Sequence, residues 1–118
     1  AGFFVNALHG FPGPYTKYAY FTIGPRGILK LMQGIENRSA HFVSAIVFRD
    51  GNREKVFKGI CRGNVTHSVQ GTKGFGFDPI FVPEGERKTF ASSLSLKQRV
   101  SHRALALQKL LSYLKRTY

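Results

Sequence analysis

The pattern of apolar and polar residues divides this chain into short strands and helices. The clearest strand pair is a hairpin: residues 41–49 are strongly β-forming, Asp50-Gly51 is a turn signal, and residues 56–62 return as the second strand. Shorter apolar runs predict further strands at residues 2–8 and 80–82, with residues 65–69 extending the sheet. These elements favour a sheet built largely from antiparallel pairs.

Helical patterns occupy much of the rest of the chain. Residues 15–22 predict one helix, and a second lies between Pro25 near its start and Gly34 past its end. A final helix is predicted from Ser95, which forms a capping-box pattern with Gln98. Its apolar residues recur at helical steps, and we expect this stripe to pack into the core: Leu96, Val100, Leu107, Leu111 and Leu114.

Composition narrows the class of protein. The chain has 118 residues, of which 42% are hydrophobic, so it suits one globular domain over residues 1–118. The expected fold class is α/β of the α+β type, with a mixed, largely antiparallel twisted sheet and flanking helices. No run of apolar residues is long enough to span a membrane, and no export signal is visible. Cys61 is the single cysteine, which excludes a disulfide scaffold and favours the cytoplasm.

The charge balance is strongly basic. A formal net charge of +12, from 18 basic and 6 acidic residues, should attract nucleic acid, nucleoside triphosphates or anionic membranes. The basic residues are scattered from Lys17 to Arg116. A solvated basic surface without a specific partner is therefore an equally good interpretation of this charge. The few acids make an oxygen-rich magnesium site hard to build from this chain, and no metal ligands are predicted in it.

The most informative segment is residues 73–79, Lys-Gly-Phe-Gly-Phe-Asp-Pro. Its glycines allow the backbone to approach a flat ligand, and its aromatic rings can stack on one. The carboxylate of Asp78 and the basic groups of Lys97, His102 and Arg103 lie within about thirty residues. Together these residue types indicate a purine-nucleotide pocket.

An RNA-binding domain is the main alternative for this segment. Residues 73–77 match the first five positions of the RNP1 pattern, and residues 3–8 resemble its companion strand RNP2. Pro79 argues against a central strand here, because proline has no N–H to donate. The two segments are also about 70 residues apart, which is too far for that fold.

A phosphate loop at Gly71, Gly74 and Gly76 lacks the Gly-Lys-Ser/Thr that should follow.

Several of these residues also have purely structural interpretations. Gly74 and Gly76 can simply relieve a tight bend while Phe77 enters the core, whereas Phe75 is predicted to contact the ligand. Asp78 can initiate a turn before Pro79.

The basic residues have structural interpretations of their own. Lys97 and Arg103 can be solvated helix charges, and His102 can bond a backbone carbonyl. A triad of Ser101, His102 and Asp78 is rejected, since adjacent helical residues do not face each other. Metal ligation by Cys61 and His67 is rejected as well. A straight helix cannot aim Lys97, His102 and Arg103 at one ligand, so either the helix is kinked or Lys97 approaches from another side.

The order of motifs resembles the Ham1/ITPase family of inosine and xanthosine triphosphate pyrophosphatases. The matching segments are residues 10–15 (Gly-Phe-Pro-Gly-Pro-Tyr), residues 74–81 (Gly-Phe-Gly-Phe-Asp-Pro-Ile-Phe), Lys97, and residues 100–105 (Val-Ser-His-Arg-Ala-Leu). The resemblance covers essentially the whole chain. Two departures stand out: Ser92 replaces a usual acid, and the stretch from there to Lys97 is one residue short.

The resemblance implies hydrolysis of ITP, XTP and dITP to the monophosphate and pyrophosphate with Mg²⁺, by a cytoplasmic homodimer. It assigns the substrate-binding residues as Phe75 stacking on the purine, Gly76, Phe77 and Asp78 lining the base pocket, and Lys97, His102 and Arg103 completing it. Asp78 is suited to accept the N1–H of a 6-oxo purine, and Arg103 to bind its oxygenated edge. Whether His102 is neutral or charged stays open.

The family's reaction centre is expected to lie before Ala1. The resemblance places there a Thr/Ser-Gly-Asn…Lys phosphate segment, an acidic metal ligand and the catalytic Asp, so no catalytic residue is predicted in this chain. Ala1 stands where Ser is common, and Asn6 replaces an acid. We therefore expect the C-terminal part of such a domain, inactive as an isolated 118-residue chain. A basic nucleic-acid-binding domain and an inactive nucleotide-binding homologue remain the alternatives.

Overall fold

Five strands form one sheet in the computed structural model, which describes residues 1–118. The strands are β1 (Gly2–Val5), β2 (Pro12–Gly13), β3 (Ser39–Asp50), β4 (Arg53–Val65) and β5 (Phe81–Pro83). Their order is β2-β1-β3-β4-β5, and every neighbouring pair is antiparallel. The helices are α1 (Thr16–Thr22), α2 (Gly24–Leu31), α3 (Leu94–Val100) and α4 (His102–Thr117), with 3₁₀ turns at Asn6–Leu8 and Asp78–Ile80. The predicted fold class is confirmed.

The β3–β4 hairpin forms the centre of the sheet. Asp50 pairs with Arg53 across a two-residue loop, in which Gly51 has a φ of 60°. A positive φ at the first loop residue matches the turn to the twist of the strands, and glycine adopts it without steric cost. Both strands are longer than predicted, because pairing continues to Ser39 and Asn64.

An aromatic cluster fills the core on one face of this sheet. Phe3 of β1 and Phe42 of β3 lie side by side, with ring centroids 4.7 Å apart. Phe77, Phe81 and Phe90 extend the cluster, and all of these rings are buried. Burial of each ring removes a large apolar surface from water, so this cluster contributes strongly to the stability of the sheet.

Arg38 fastens the end of α2 to the end of β4. Its guanidinium donates hydrogen bonds to four carbonyl oxygens, those of Met32, Ile35, Val65 and Thr66. Burial lowers the pKa of this guanidinium. The planar fork of donors suits several carbonyls at once, which a lysine would not match.

The C-terminal region contains two helices where one was predicted. Ser101 has φ −65° and ψ 159°, an extended conformation that ends α3 and caps α4 by accepting a hydrogen bond from the Ala104 N–H at 3.2 Å. The predicted capping box at Ser95 and Gln98 is wrong, because Ser93 is the cap of α3 and accepts from the Leu96 N–H. Serine favours such caps because its hydroxyl satisfies an N–H that the helix leaves free.

The predicted leucine stripe packs only in part. Leu96 is buried, but Leu107 and Leu111 are 47% and 49% exposed. The face of α4 that meets the sheet carries the buried residues His102 and Ala106 instead. A contact through a small residue brings the helix axis close to β4, so the longer leucines fall outside the contact.

Two predicted strands are shorter than expected. The strand predicted at 2–8 ends at Val5, where the chain enters a 3₁₀ turn. The predicted extension at 65–69 is wrong beyond Val65, since the N–H of Gln70 bonds to Pro79 outside any ladder. The carbonyls that these residues need are supplied by loops rather than by a neighbouring strand.

We predict that Gly59→Ala strongly destabilises the chain. An added Cβ at Gly59 would overlap the carbonyl oxygen of His102 and the amide of Ala106, so α4 must move off the sheet. Overpacking of this kind costs about 3 kcal/mol in the free energy of unfolding, measured by urea titration. Gly34→Ala is the control, because its Cβ meets nothing and only the φ of +76° is strained. Equal losses in the two variants would contradict the close packing of α4.

Candidate functional site

A cavity of about 460 Å³ opens beside the aromatic core. Every residue predicted for the site lines it: Phe75, Gly76, Phe77, Asp78, Lys97, His102 and Arg103. These residues come from a loop before β5 and from both C-terminal helices, so tertiary folding brings them together. The volume suits a small organic ligand.

The loop at residues 74–78 presents an aromatic ring to the cavity. Gly74 and Gly76 both have positive φ, 73° and 64°, on either side of Phe75. The bend leaves the Phe75 side chain 60% exposed, while Phe77 enters the core with 1% exposure. An exposed phenylalanine supported on a fixed bend can stack on a flat ligand.

The RNA-binding alternative fails on this geometry. Residues 73–77 form bends and turns instead of a strand, so no RNP1 strand exists. In the counterpart segment Phe3 is fully buried, and Phe4 stacks on His41 with ring centroids 5.0 Å apart. An aromatic platform on two adjacent strands is therefore absent. The phosphate-loop interpretation also fails, because only a 3₁₀ turn follows the glycines.

Two cations lie over the Phe75 ring. The Lys97 Nζ is 4.0 Å from the ring centroid, and the Arg103 guanidinium carbon is 5.0 Å from it. The negative face of the ring attracts both groups. Because Arg103 is exposed, its guanidinium can exchange this contact for one with a ligand.

Asp78 and Lys97 form a buried ion pair at the wall of the cavity. Their Oδ2 and Nζ atoms are 2.6 Å apart, and the side chains are only 4% and 13% exposed. The same Oδ2 accepts a hydrogen bond from the Phe75 N–H at 3.0 Å. Asp78 thus closes the turn that carries Phe75 and ties it to α3, which supports the structural interpretation of this residue. Its Oδ1 makes no hydrogen bond within the protein and stays available.

The break at Ser101 resolves the geometric problem of the predicted single helix. Lys97 lies on α3, and His102 and Arg103 open α4, so the change of direction turns all of them to one cavity. Of the two predicted solutions, a kinked helix or an approach of Lys97 from another side, the structure has the first: the helical segment is broken at Ser101. Ser101 is buried and serves as the cap of α4.

His102 is a buried neutral base. It is 4% exposed and stacks on Phe42, with ring centroids 4.7 Å apart and planes at 11°. Burial, followed by the charges of Arg103 and Lys97, lowers the pKa of His102 to about 4. Its Nδ1 is buried without a hydrogen-bond partner, so the predicted bond to a backbone carbonyl is not formed. Such an orphaned polar atom is costly unless a ligand or water meets it.

Helix α1 adds cavity residues that the sequence did not indicate. Thr16, Lys17, Tyr20 and Phe21 line the side facing the loop. The sequence did carry one signal: this short helix has more aromatic residues than a single buried face can accommodate. In the structure Tyr20 is 38% and Phe21 73% exposed.

The residues of this cavity do not fit a magnesium ion. Asp78 is the only carboxylate that lines it, and Lys97 already neutralises that group. No group of three or more metal-ligating side chains occurs within residues 1–118. Cys61 is not a ready thiolate ligand, because burial raises its pKa to about 11.

No helix has the length and apolar character needed to cross a membrane.

An α/β sheet with an aromatic, cation-lined cavity at the start of its last helix defines a small-ligand-binding domain. The chain belongs to the Ham1 family, whose model matches residues 1–113. The structure resembles the Ham1 protein of Staphylococcus aureus with a TM-score of 0.87 and 31% identity, over 99% of this chain and 65% of that one.

Named relatives agree with this assignment. A protein of Saccharolobus solfataricus named dITP/XTP pyrophosphatase is 53% identical over 115 residues, which are 97% of this chain and 60% of the relative. One from Thermococcus kodakarensis with the same name is 50% identical over 98% of this chain and 62% of its own length. The chain therefore spans most, but less than two thirds, of these relatives.

We predict that acid destabilises the fold through His102. Its pKa is about 4 in the folded chain and near 6.5 when unfolded, so the unfolded state binds the proton first as pH falls. The contribution of neutral His102 to the free energy of unfolding is fully present above pH 6.5. It should fall by up to about 3 kcal/mol as pH approaches 4. Urea unfolding at several pH values measures this loss. His102→Gln, which retains His41, should remove most of the slope, and an unchanged slope would contradict this assignment.

We also predict that Gly74→Ala costs more stability than Gly76→Ala. Both residues have positive φ, so each variant carries a strain of about 1 kcal/mol. Only at Gly74 would the added Cβ overlap the Oδ2 of Asp78 and press on Lys97. Disrupting that buried pair should cost about 2 kcal/mol more, as measured by urea unfolding of both variants. Equal losses would show that the ion pair does not hold the loop.

Proposed function

We propose that this chain carries the base-recognition pocket of a pyrophosphatase for non-standard purine nucleotides. The reaction converts ITP, XTP or dITP to the nucleoside monophosphate and pyrophosphate. The observation that carries the proposal is the convergence of Phe75, Asp78, Lys97, His102 and Arg103 on one cavity. The name dITP/XTP pyrophosphatase shared by the relatives supports the same substrate class.

Stacking is the contribution of Phe75. Its ring is exposed at the cavity, and the bend between two glycines fixes its orientation. A purine that lies on this ring gains about 1–3 kcal/mol, irrespective of which base it is. Stacking therefore provides affinity, and the discrimination between bases must come from the polar groups around the ring.

Arg103 supplies the discrimination. A 6-oxo purine presents two acceptors, O6 and N7, on one edge, and a guanidinium can donate to both. Adenine carries an amino donor in place of O6, so it faces the donors of Arg103 with a donor of its own. Polar groups left unpaired in a cavity penalise the wrong base strongly.

The buried groups complete the pocket. The free Oδ1 of Asp78 suits the N1–H that a 6-oxo purine carries and adenine lacks. Lys97 pairs with the Asp78 carboxylate and adds positive charge toward ribose or phosphate. Neutral His102, with its unpartnered Nδ1, can form a hydrogen bond with the base without adding a third cation.

Three further features rest on the family resemblance. We infer that hydrolysis requires Mg²⁺, whose ligands are not assigned to the acid-poor residues 1–118. We also propose that the enzyme is a cytoplasmic homodimer, and that residues 1–118 form part of one catalytic domain. Since the cavity has a single carboxylate already paired with Lys97, no step of the hydrolysis is assigned to this chain's own residues.

The net charge of +12 keeps a nucleic-acid-binding function as the second candidate. That function depends on many phosphate contacts, so its affinity would fall steeply with salt and rise with oligonucleotide length. A cavity that holds a single base predicts weak dependence on both salt and length. The two candidates therefore separate in a single set of titrations.

We predict that the 118-residue chain binds ITP at least tenfold more tightly than ATP, by calorimetric titration at physiological salt. Phe75→Ala should weaken ITP binding about tenfold through lost stacking. Arg103→Ala should remove most of the preference for ITP over ATP. Arg99→Ala is the matched control: it removes a nearby exposed charge that lies outside the cavity.

Two results would contradict the proposal. Equal affinity for ITP and ATP would show that the cavity does not read the purine edge. Binding of an oligonucleotide in preference to ITP, with steep salt dependence, would favour the second candidate. With Mg²⁺ present, we expect the chain to bind ITP without appreciable turnover, and release of pyrophosphate by the lone chain would show that its own carboxylates are catalytic.

A further inference from the structure

Strand β4 has an open edge along most of its length. β5 pairs only with Gly63, Asn64 and Val65, and the Glu84 N–H bonds to the carbonyl of Arg62. Residues 54–60 have no neighbouring strand on that side. An open edge of this length presents a row of unpaired N–H and C=O groups.

The register identifies which groups point outward. Antiparallel ladders alternate, and the Val65 N–H bonds to Arg38 on the β3 side. Odd-numbered residues of β4 therefore pair with β3, while the N–H and C=O of Val56, Lys58 and Ile60 face away from it. No side chain forms a hydrogen bond with these groups.

A groove of about 700 Å³ runs between this edge and α4, separate from the nucleotide cavity. Its apolar surface comes from Phe57, Ile60 and Leu105. Its charged residues are all basic: Arg62, Lys109 and Arg116. No acidic residue lines the groove, so its charge complements an anionic ligand.

We propose that this groove binds an extended acidic peptide segment of another protein, which adds to β4 as an antiparallel strand. Outward N–H and C=O groups alternate along the edge, and a peptide backbone satisfies both kinds. The phosphate backbone of a nucleic acid would leave the carbonyls unpaired, because phosphates only accept hydrogen bonds. The antiparallel direction continues the pairing that β5 already makes with β4.

The two faces of the sheet specify the side chains of the bound strand. In an antiparallel pair, residues bonded to Val56 and Ile60 project their side chains to the same face as these two. That face presents the apolar side chains of Val56, 51% exposed, and Ile60, 39% exposed, with the exposed Lys58 between them. The alternate residues project toward α4, where Lys109 and Arg116 favour Glu or Asp. The partner sequence thus alternates acidic and β-branched residues.

A second copy of this chain is a poorer occupant of the groove. Pairing of two β4 edges would bring the Lys58 and Arg62 of one copy near the same residues of the other. Like charges that meet in this way oppose association. The basic groove therefore favours a partner of opposite charge.

The test uses the intact 118-residue chain and the peptide Glu-Val-Glu-Val-Glu-Val-Glu-amide, with fluorescein attached to its N-terminus, in fluorescence polarisation. N-methylation of the Val residues removes the N–H groups that face β4 and should weaken binding at least tenfold. N-methylation of the Glu residues is the matched control, because those N–H groups face solvent, and should change binding less than threefold.

Variants of the chain test the same geometry from the other side. Lys109→Glu with Arg116→Glu should weaken binding at least tenfold, whereas Arg87→Glu with Lys88→Glu alters net charge equally outside the groove and should have little effect. Lys58→Pro removes one outward N–H without touching the β3 ladder and should weaken binding about fivefold relative to Lys58→Ala.

Several outcomes would overturn the proposal. These are no binding of the unmodified peptide, equal effects of the two N-methylated peptides, and equal effects of the two charge-reversal pairs. A dT8 oligonucleotide that displaces the peptide with equal affinity would reduce the groove to a general anion surface. Concentration-dependent dimerisation that blocks the peptide, seen by sedimentation, would assign the edge to a second copy.

Discussion

The buried ion pair between Asp78 and Lys97 is the interaction on which the site depends. Its 2.6 Å contact joins the loop before β5 to helix α3, two segments that no strand ladder connects. The same carboxylate accepts the Phe75 N–H and so closes the turn that exposes the ring. Buried pairs of this kind often add little net stability, because desolvation offsets attraction. Here the pair fixes geometry: it decides where the ring and the lysine lie relative to each other.

The cavity shares its wall with the hydrophobic core. Phe42 belongs to the aromatic cluster of the sheet and also stacks on His102, and Phe77 is at once a core residue and a lining residue. Close-packed interiors transmit displacements, so the positions of the cavity side chains follow directly from the packing of the sheet. Gly59 is part of this arrangement, because only a residue without a Cβ lets the start of α4 approach β4.

Charge in the cavity is unbalanced. Lys97 and Arg103 both lie over one ring, and a single carboxylate faces them. Burial, and then the proximity of these two cations, lowers the pKa of His102, which therefore stays neutral. A cavity with excess positive charge and an orphaned imidazole nitrogen is prepared for an electron-rich ligand, and an anionic one would relieve the repulsion.

The sequence by itself determined the β3–β4 hairpin, the early helices, the antiparallel character of the sheet and seven of the residues that line the cavity. These features follow from local rules: turn chemistry at Gly51, strand propensity, and the grouping of glycine, aromatic and charged residues in two short segments. Tertiary structure alone decided the break at Ser101, the exposure of Leu107 and the contribution of α1 to the cavity. A local pattern cannot show them, because each depends on contacts between segments that are distant in sequence, such as α4 against β4 and α1 against the loop at residues 74–78.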